Sequence, residues 1–475
     1  MRHLKSLTLL SIPSLALLVS GCGGGNSIGH TTQTITFDNP GTQTAGTSLT
    51  LSTTASSAAA VTLTSATPGV CTVSGMTATL VTAGTCTINA SQAGNSIYAA
   101  ASQVAQSFTV NPAIGPNTTI YIAGNAISTA STYYPTSNIV TVAEVWRLIS
   151  GSPTATATAL SMPSGMTSTQ ANAIAVSGSD VYVAGSASNA VQNFPTATYW
   201  VNGTPATLPT PSGLAGSQAS AIAVSGGNVY VVGFGWISGG LGDAILWVNG
   251  TATTLPPPSG FAYSSADAMA VSGSNVYVAG TAWNTNSDES AVLWVNGAAT
   301  LLTPPSGFTG DYYAEGIAVS GGNVYVSGQT DSSVGTDTAI FWVNNGAATT
   351  LPIPPNDSAG NYGAGGITVS GSDVYVAGSG SNGTTGDGSA AYWTNGTPST
   401  LPLPSTVSNP SDATSWASGI ALSGSDVYAV GSLSDSMAGV GQTGAYWVNG
   451  GAATLLPMPS GTYESWAGTI AVATQ

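Results

Sequence analysis

Ile174-Ala175-Val176-Ser177-Gly178-Ser179-Asp180-Val181-Tyr182-Val183-Ala184-Gly185 is one copy of a phrase that the chain repeats. Its tyrosine recurs at Tyr121, Tyr182, Tyr230, Tyr277, Tyr325, Tyr375 and Tyr428. A tryptophan follows each time, at Trp146, Trp200, Trp247, Trp294, Trp342, Trp393 and Trp447. Most of these lead into Val-Asn-Gly and then an apolar segment that stops at Leu-Pro. The period is about 50 residues, the size of one four-stranded propeller blade.

Each repeat reads as four short strands. Ile-Ala-Val is the first and Val-Tyr-Val the second, joined by a tight Ser-Gly turn. The third carries the Trp and hands over through Asn-Gly, a strong hairpin signal. Proline ends the fourth because it has no N–H to donate to a ladder. The series opens at Tyr121 with no first strand and finishes at Gly468-Thr469-Ile470-Ala471-Val472, a first strand with no successors. The two ends complete each other, which predicts an all-β fold: a seven-bladed β-propeller over 120–475, closed by its C-terminal strand. Closure leaves only short, protected strand edges, and the chain is expected to be a monomer.

From residue 120 onward the chain resembles bacterial extracellular propeller repeats of the type called HAF, in which an aliphatic-Trp-x-x-Gly strand alternates with a Val-x-Gly strand. The resemblance implies a surface location and binding of a ligand or partner, with no defined reaction. The Val-Tyr-Val-Ala-Gly phrase is stricter than the pattern of that family.

Second-to-third loops and blade-to-blade crossings are long and variable, and strand alternation puts both on one face. Variable loops on a rigid scaffold are where binding usually lies. Three residues before each first-strand Ile or Met stands an alanine: Ala171, Ala219, Ala266, Ala314, Ala364, Ala417 and Ala467. Just before it stand Gln170, Gln218, Ser265, Tyr313, Gly363, Trp416 and Trp466; just after it, Asn172, Ser220, Asp267, Glu315, Gly365, Ser418 and Gly468. With the first strand innermost, these positions ring the mouth of the central channel. Sugars are held by aromatic planes under their apolar faces and by amides and carboxylates on their hydroxyls. Tyr313, Glu315, Trp416, Trp466, Asp267, Gln218 and Gln170 are therefore the candidate ligand-binding residues. Packing of blade against blade is the competing reading of the aromatics. Further loop aromatics are Trp236, Phe261, Tyr263, Trp283, Phe308, Tyr312, Tyr362 and Tyr463.

Much chemistry is missing. After the leader the chain has one histidine, His30, and no lysine. That removes a Ser-His-Asp triad, a Schiff base and a histidine metal cluster. No catalytic residue is assigned. A glycosidase-like carboxylate pair is the alternative, because Asp267 and Glu315 hold equivalent places in neighbouring blades. Asn284, Asn286 and Asp288 place oxygen at alternate positions, a faint resemblance to a calcium loop that lacks the following glycine and the distal glutamate. An ordinary polar loop is the competing reading, and no other cofactor or metal is expected.

Residues 31–112 read as a separate small β domain. Thr34-Ile35-Thr36-Phe37, Ser48-Leu49-Thr50-Leu51, Ala60-Val61-Thr62-Leu63, Cys71-Thr72-Val73, Thr85-Cys86-Thr87-Ile88 and Gln106-Ser107-Phe108-Thr109-Val110 cluster β-formers. With Cys22 spent as described next, Cys71 and Cys86 remain to pair in an oxidising compartment. Such a loop contributes roughly 3 kcal/mol. The stretches Thr67–Gly75, Ala83–Ile88 and Ala90–Asn95 resemble Ig-like repeats of bacterial surface proteins. The resemblance implies a spacer or adhesive sandwich, and 113–119 would link it to the repeats.

Residues 1–21 have the parts of a lipoprotein signal peptide. Arg2 and Lys5 precede an apolar run, Leu7 to Val19, too short to span a bilayer comfortably. The run ends at Val19-Ser20-Gly21-Cys22, which resembles a bacterial lipobox. The resemblance implies lipidation of Cys22 and, with Gly rather than Asp at 23, the outer membrane. Residues 22–30 then form a flexible tether.

Charge completes the picture. Of three basic residues, Arg2 and Lys5 lie in the leader, leaving Arg147 against eighteen acids. Phosphate backbones need several Lys or Arg contacts, so nucleic acid is excluded as a partner; a polybasic membrane patch fails likewise. The expectation is a lipid-anchored envelope protein whose propeller binds a glycan or a surface protein without catalysis. An inert architectural role and a carboxylate-based glycan hydrolase or lyase are the alternatives.

Overall fold

The computed structural model describes residues 30–474, apart from 116–117, 129–139, 151, 153, 192–193, 332–336, 356–360, 382–387, 405–406, 408–412 and 436–439. The leader and Cys22 lie outside the described residues. Strands that alternate buried and exposed positions build two regions.

In the first, Thr62–Ser65, Gly84–Ser91, Val104–Asn111 and Gln43–Thr44 form one sheet, and Ser48–Thr50, Thr77–Leu80 and Cys71–Ser74 a second. The short strands Ile35–Phe37 and Thr53–Ala55 pair beside them. A disulfide between Cys71 and Cys86 ties the two sheets across a shared core that includes Phe37, Leu80, Ile88 and Phe108.

In the second region seven four-stranded antiparallel sheets follow one another, a propeller-like all-β arrangement. We number these blades 1 to 7. Blade 2 is typical: Ser168–Ser177, Asp180–Ser188, Thr196–Val201 and Thr204–Thr207, from inside outward. Blade 1 takes its inner strand from the far end of the chain. Thr462–Thr474 pairs antiparallel with Thr118–Ser128. That C-terminal strand also lies against the inner strands of blades 2 and 7, so the inner strands neighbour one another in an unbroken cycle.

The repeated aromatics explain how blades stack. All seven repeat tryptophans are buried to 1% exposure or less. Each indole Nε1 donates, at 2.7–2.9 Å, to a backbone carbonyl just past the outer strand of the preceding blade. The bond from Trp146 to Pro457 O makes the same staple between blade 1 and blade 7. Six turns, five of them Val-Asn-Gly or Thr-Asn-Gly and the sixth Val343-Asn344-Asn345-Gly346, serve a second purpose through the first asparagine. Their asparagine takes φ near +50° and its Oδ1 accepts a second-strand N–H, for example Val181 N at 3.0 Å. Its Nδ2 donates to the Asp or Asn of the neighbouring tight turn, as Asn202 does to Asp180. This face of the ring is thus a set of zipped turns. We call it the turn face, and the opposite one the loop face.

The first region leaves from the turn face. Asn111 Nδ2 donates to Thr454 Oγ1 at 2.8 Å, Gly115 N to Tyr428 Oη at 3.2 Å, and Ile114 packs into the core between blades 7 and 1.

Two sequence expectations change. The inner strand does not begin at Ile-Ala-Val; it begins about six residues earlier, so the presumed crossing residues are strand. And each inner strand carries a β-bulge just after its constant alanine, at Asn172, Ser220, Asp267, Glu315, Gly365-Gly366, Ser418 or Gly468. A bulge leaves one residue unpaired and re-aims its side chain.

One core position breaks the pattern. Opposite the motif glycine on the third strand stand Thr198, Ile245, Val292, Ile340, Ala391 and Ala445, but Glu144 in blade 1. Glu144 is 2% exposed and its Oε2 has no hydrogen-bond partner. Burial raises its pKa from 4.5 to about 7. The native state therefore holds a proton that the unfolded chain loses above pH 4.5. Stability is full below that pH and falls as pH rises through 7, by on the order of 3 kcal/mol. Glu144→Ile, which copies blades 3 and 5, is expected to raise the melting temperature clearly at pH 8 and little at pH 4. Equal shifts at both pH values would contradict a buried, protonated Glu144.

Candidate functional site

Two connected cavities occupy the axis and the loop face. The axial channel encloses about 760 Å³. An Ile or Met from each blade lines it, Ile174, Ile222, Met269, Ile317, Ile367, Ile420 and Ile470, and the seven bulge positions form a ring beside them. The ring is polar over blades 2 to 5, with Asn172, Ser220, Asp267 and Glu315; on the other side Ser418 stands between bare glycines at 365 and 468.

Part of the ring is spent on structure. Asn172 Nδ2 donates to Ala219 O at 2.8 Å, and Ser418 Oγ to Ala467 O at 3.1 Å, each tying its blade to the next. Asp267 Oδ2 accepts from Ser265 Oγ at 2.9 Å. Glu315 has no hydrogen-bond partner among the described residues and faces the lumen. Both carboxyls have pKa values pushed up to about 7. For Asp267 the main cause is burial, which the Ser265 hydroxyl opposes and the charge of Glu289 reinforces. For Glu315 it is again burial, reinforced by the charge of Asp267. Both carboxyls border the cavity, Asp267 half-buried and Glu315 exposed to the lumen, with protein atoms packed around each displacing part of the water that would solvate the anion.

A side groove of about 740 Å³ opens from the ring over blades 3 to 5 and shares Asn172, Ser220, Asp267 and Glu315 with the channel. Its walls are Phe234, Trp236, Leu241, Trp283 and Tyr313, with Gln218, Glu289 and Asp331. Trp236 is held between Phe234, at 4.4 Å between ring centroids, and Phe194, at 5.9 Å. Tyr313 Oη accepts from Gln329 Nε2 at 2.8 Å; burial is the main reason its pKa is raised.

The structure thus brings Tyr313, Glu315, Asp267 and Gln218 into one groove. Trp416 lines the axial channel on the side of blades 6 and 7. Gln170, which is exposed, and Trp466, which is half-buried, line neither cavity. Among the loop aromatics, Tyr312 and Tyr362 are core: they pack on Trp342 and Trp393, and Tyr312 Oη donates to Leu302 O at 3.1 Å. Sequence reasoning missed Phe234, Glu289 and Asp331. For Phe234 a signal existed. Gly233-Phe234-Gly235-Trp236 continues the two-residue alternation past the motif, so Phe234 and Trp236 share a strand face.

The Asn284–Asp288 loop is closed on itself. Asn284 Oδ1 accepts from the backbone N–H groups of Asn286 and Asp288, and its Nδ2 donates to Asp288 Oδ2 at 2.8 Å. Two of the three oxygens proposed for calcium are already engaged. No group of three or more His, Cys, Asp or Glu side chains converges as a metal site among the described residues.

No protein-family description matches this chain, and no curated protein does. Solved structures give distant likenesses. One is the β-propeller domain of the Trilobed protease from Pyrococcus furiosus, 10% identical, covering 74% of this chain and 95% of that one, TM-score 0.39. The acylaminoacyl peptidase of Pyrococcus horikoshii is 12% identical over 72% of this chain, with TM-score 0.39; this chain spans about half of its length (51%). A quinonprotein alcohol dehydrogenase-like protein from Bacteroides thetaiotaomicron is 10% identical, over 90% of this chain and 95% of that one, TM-score 0.38.

Proposed function

We propose that this chain is a cell-envelope lipoprotein, anchored through Cys22, whose seven-bladed β-propeller is a non-catalytic binding module for a glycan. The first region serves as an Ig-like spacer, as its resemblance to bacterial surface repeats implies. One observation carries the proposal: the side groove combines aromatic planes with amide and carboxylate groups, set on rigid strands at the loop face. That is the chemistry a sugar ring needs, a flat apolar wall with polar groups at its edge. The first region departs from the turn face, and the groove opens on the opposite, loop face.

A glycan array with the purified chain tests this. Wild type is expected to bind a restricted set of glycans. Trp236→Ala and Trp283→Ala are each expected to weaken binding at least tenfold, about 1.4 kcal/mol or more, while both variants melt cooperatively. Absence of binding across the array would favour a purely architectural protein.

A second reading has one observation in its favour. Asp267 and Glu315 sit in adjacent blades with pKa values near 7, the range of a general acid. Under that reading the groove cleaves a glycan, and Glu315→Gln or Asp267→Asn abolishes turnover on a polysaccharide panel. An absence of turnover by wild type removes it.

A further inference from the structure

The side groove has an unbalanced charge. Glu289, Glu315 and Asp331 line it, and Asp267 stands where it meets the channel. The one Arg or Lys among the described residues is Arg147, and it lies in blade 1 with its guanidinium over the Tyr121 ring. Among the described residues no Arg or Lys reaches the four carboxylates. Each raises the cost of its neighbours' charge; the effect is explicit for Glu289 on Asp267 and for Asp267 on Glu315. A neutral sugar would displace water from these anions and leave the repulsion in place. A ligand bearing ammonium groups would replace the water with a counter-ion, and the same cation is attracted to the indole faces of Trp236 and Trp283.

Resting on the glycan reading above, we propose that the groove takes glycans with free amino groups, such as glucosamine oligosaccharides, with the sugar faces on Trp236 and Trp283 and an ammonium against Glu315 and Asp267. Seating an ammonium there lowers the pKa of both carboxyls. Uptake at pH 6 therefore expels protons that the empty groove holds.

The test is calorimetric titration of the mature chain at pH 6 with three probes of equal length. They are a fully deacetylated glucosamine oligosaccharide, its N-acetylated counterpart and an oligolysine. The deacetylated sugar is expected to bind about tenfold or more tightly than the acetylated one, an advantage that shrinks as salt rises. Repeating the titration in buffers of different ionisation enthalpy is expected to show proton release with the deacetylated sugar alone. Glu315→Gln is expected to remove most of the advantage of the deacetylated sugar over the acetylated one. Should that variant fail to fold, Asp331→Asn, at an exposed position, is expected to reduce the advantage in the same direction. Equal affinity for the two sugars overturns the amine proposal and leaves the glycan reading standing. Binding of neither sugar overturns both. Oligolysine binding tighter than either sugar, with the same loss in Glu315→Gln, overturns the proposal in favour of a basic protein partner.

Discussion

Removing residues 462–475 is expected to abolish cooperative folding of everything from Thr118 onward. The deleted strand carries the inner edge of blade 1, paired with Thr118–Ser128 along its whole length. Without it, Thr118–Ser128 becomes an open edge flanked by buried Ile120, Ile122, Ala123 and Ala126. Ala467 leaves the core between blades 7 and 1, and Ile470 and Val472 no longer pack against it. Each buried aliphatic side chain is worth about 1.5–3 kcal/mol. A domain's whole stability is about 5–15 kcal/mol, so the loss is of the same size as the total. The exposed edge would also recruit other chains. Size-exclusion chromatography and thermal melting decide the matter. The truncated chain is expected as aggregate with no sharp transition, and a synthetic 462–474 peptide added during refolding is expected to restore one. A truncated chain that stays monomeric and melts like the full one would mean that blade 1 does not need its borrowed strand.

That expectation was legible in the sequence, because the strand phrases at the two ends of the repeat series are complementary. The repeat tryptophans and the Asn-Gly turns were legible for the same reason: sevenfold recurrence marks a structural duty, which the indole-to-carbonyl bonds and the positive-φ asparagines discharge. The bulges were harder. Gln170-Ala171-Asn172 looks like loop because Gln170 is exposed and Asn172 lies on the channel wall, so polarity no longer separates strand from turn. The signal was the glycine of Val-Tyr-Val-Ala-Gly, which recurs without being a turn. Tyr312 and Tyr313 show a second limit. They are adjacent and alike, yet strand alternation buries one in the core and turns the other into the groove. Phase within the strand separates them, and the bulge sets that phase. Glu144 was invisible for a simpler cause, since its position is defined only by cross-strand register.

The motif glycine therefore carries the second large effect, and Gly328→Ala is expected to unseat both the fold of blade 5 and its ligand groups. A Cβ at Gly328 would overlap the backbone carbonyl oxygen of Tyr313 and press on Ala314. The carbonyl is there because the bulge between Ala314 and Gly316 pushes the inner strand toward its partner. Neither group can swing aside as a side chain would. Relief requires undoing the bulge, and a one-residue slip turns every later side chain to the other face. Ile317 would then leave the axial lining, and Glu315, the bulged residue, would no longer face the lumen. Overpacking of well-packed interiors costs about 1–3 kcal/mol and occasionally more; with backbone on both sides of the clash, about 3 kcal/mol or more is expected. Gly239→Ala is the matched control, since a Cβ there meets nothing within 4 Å, and it is expected to stay within about 0.5 kcal/mol of wild type. Chemical denaturation compares the two. If Gly328→Ala unfolds at the same midpoint as Gly239→Ala, the bulge does not hold the strands together as described, and the aim of Glu315 needs another cause. If it folds with reduced stability and loses its ligand, one backbone feature sets both the packing of the blade and the direction of its carboxylate.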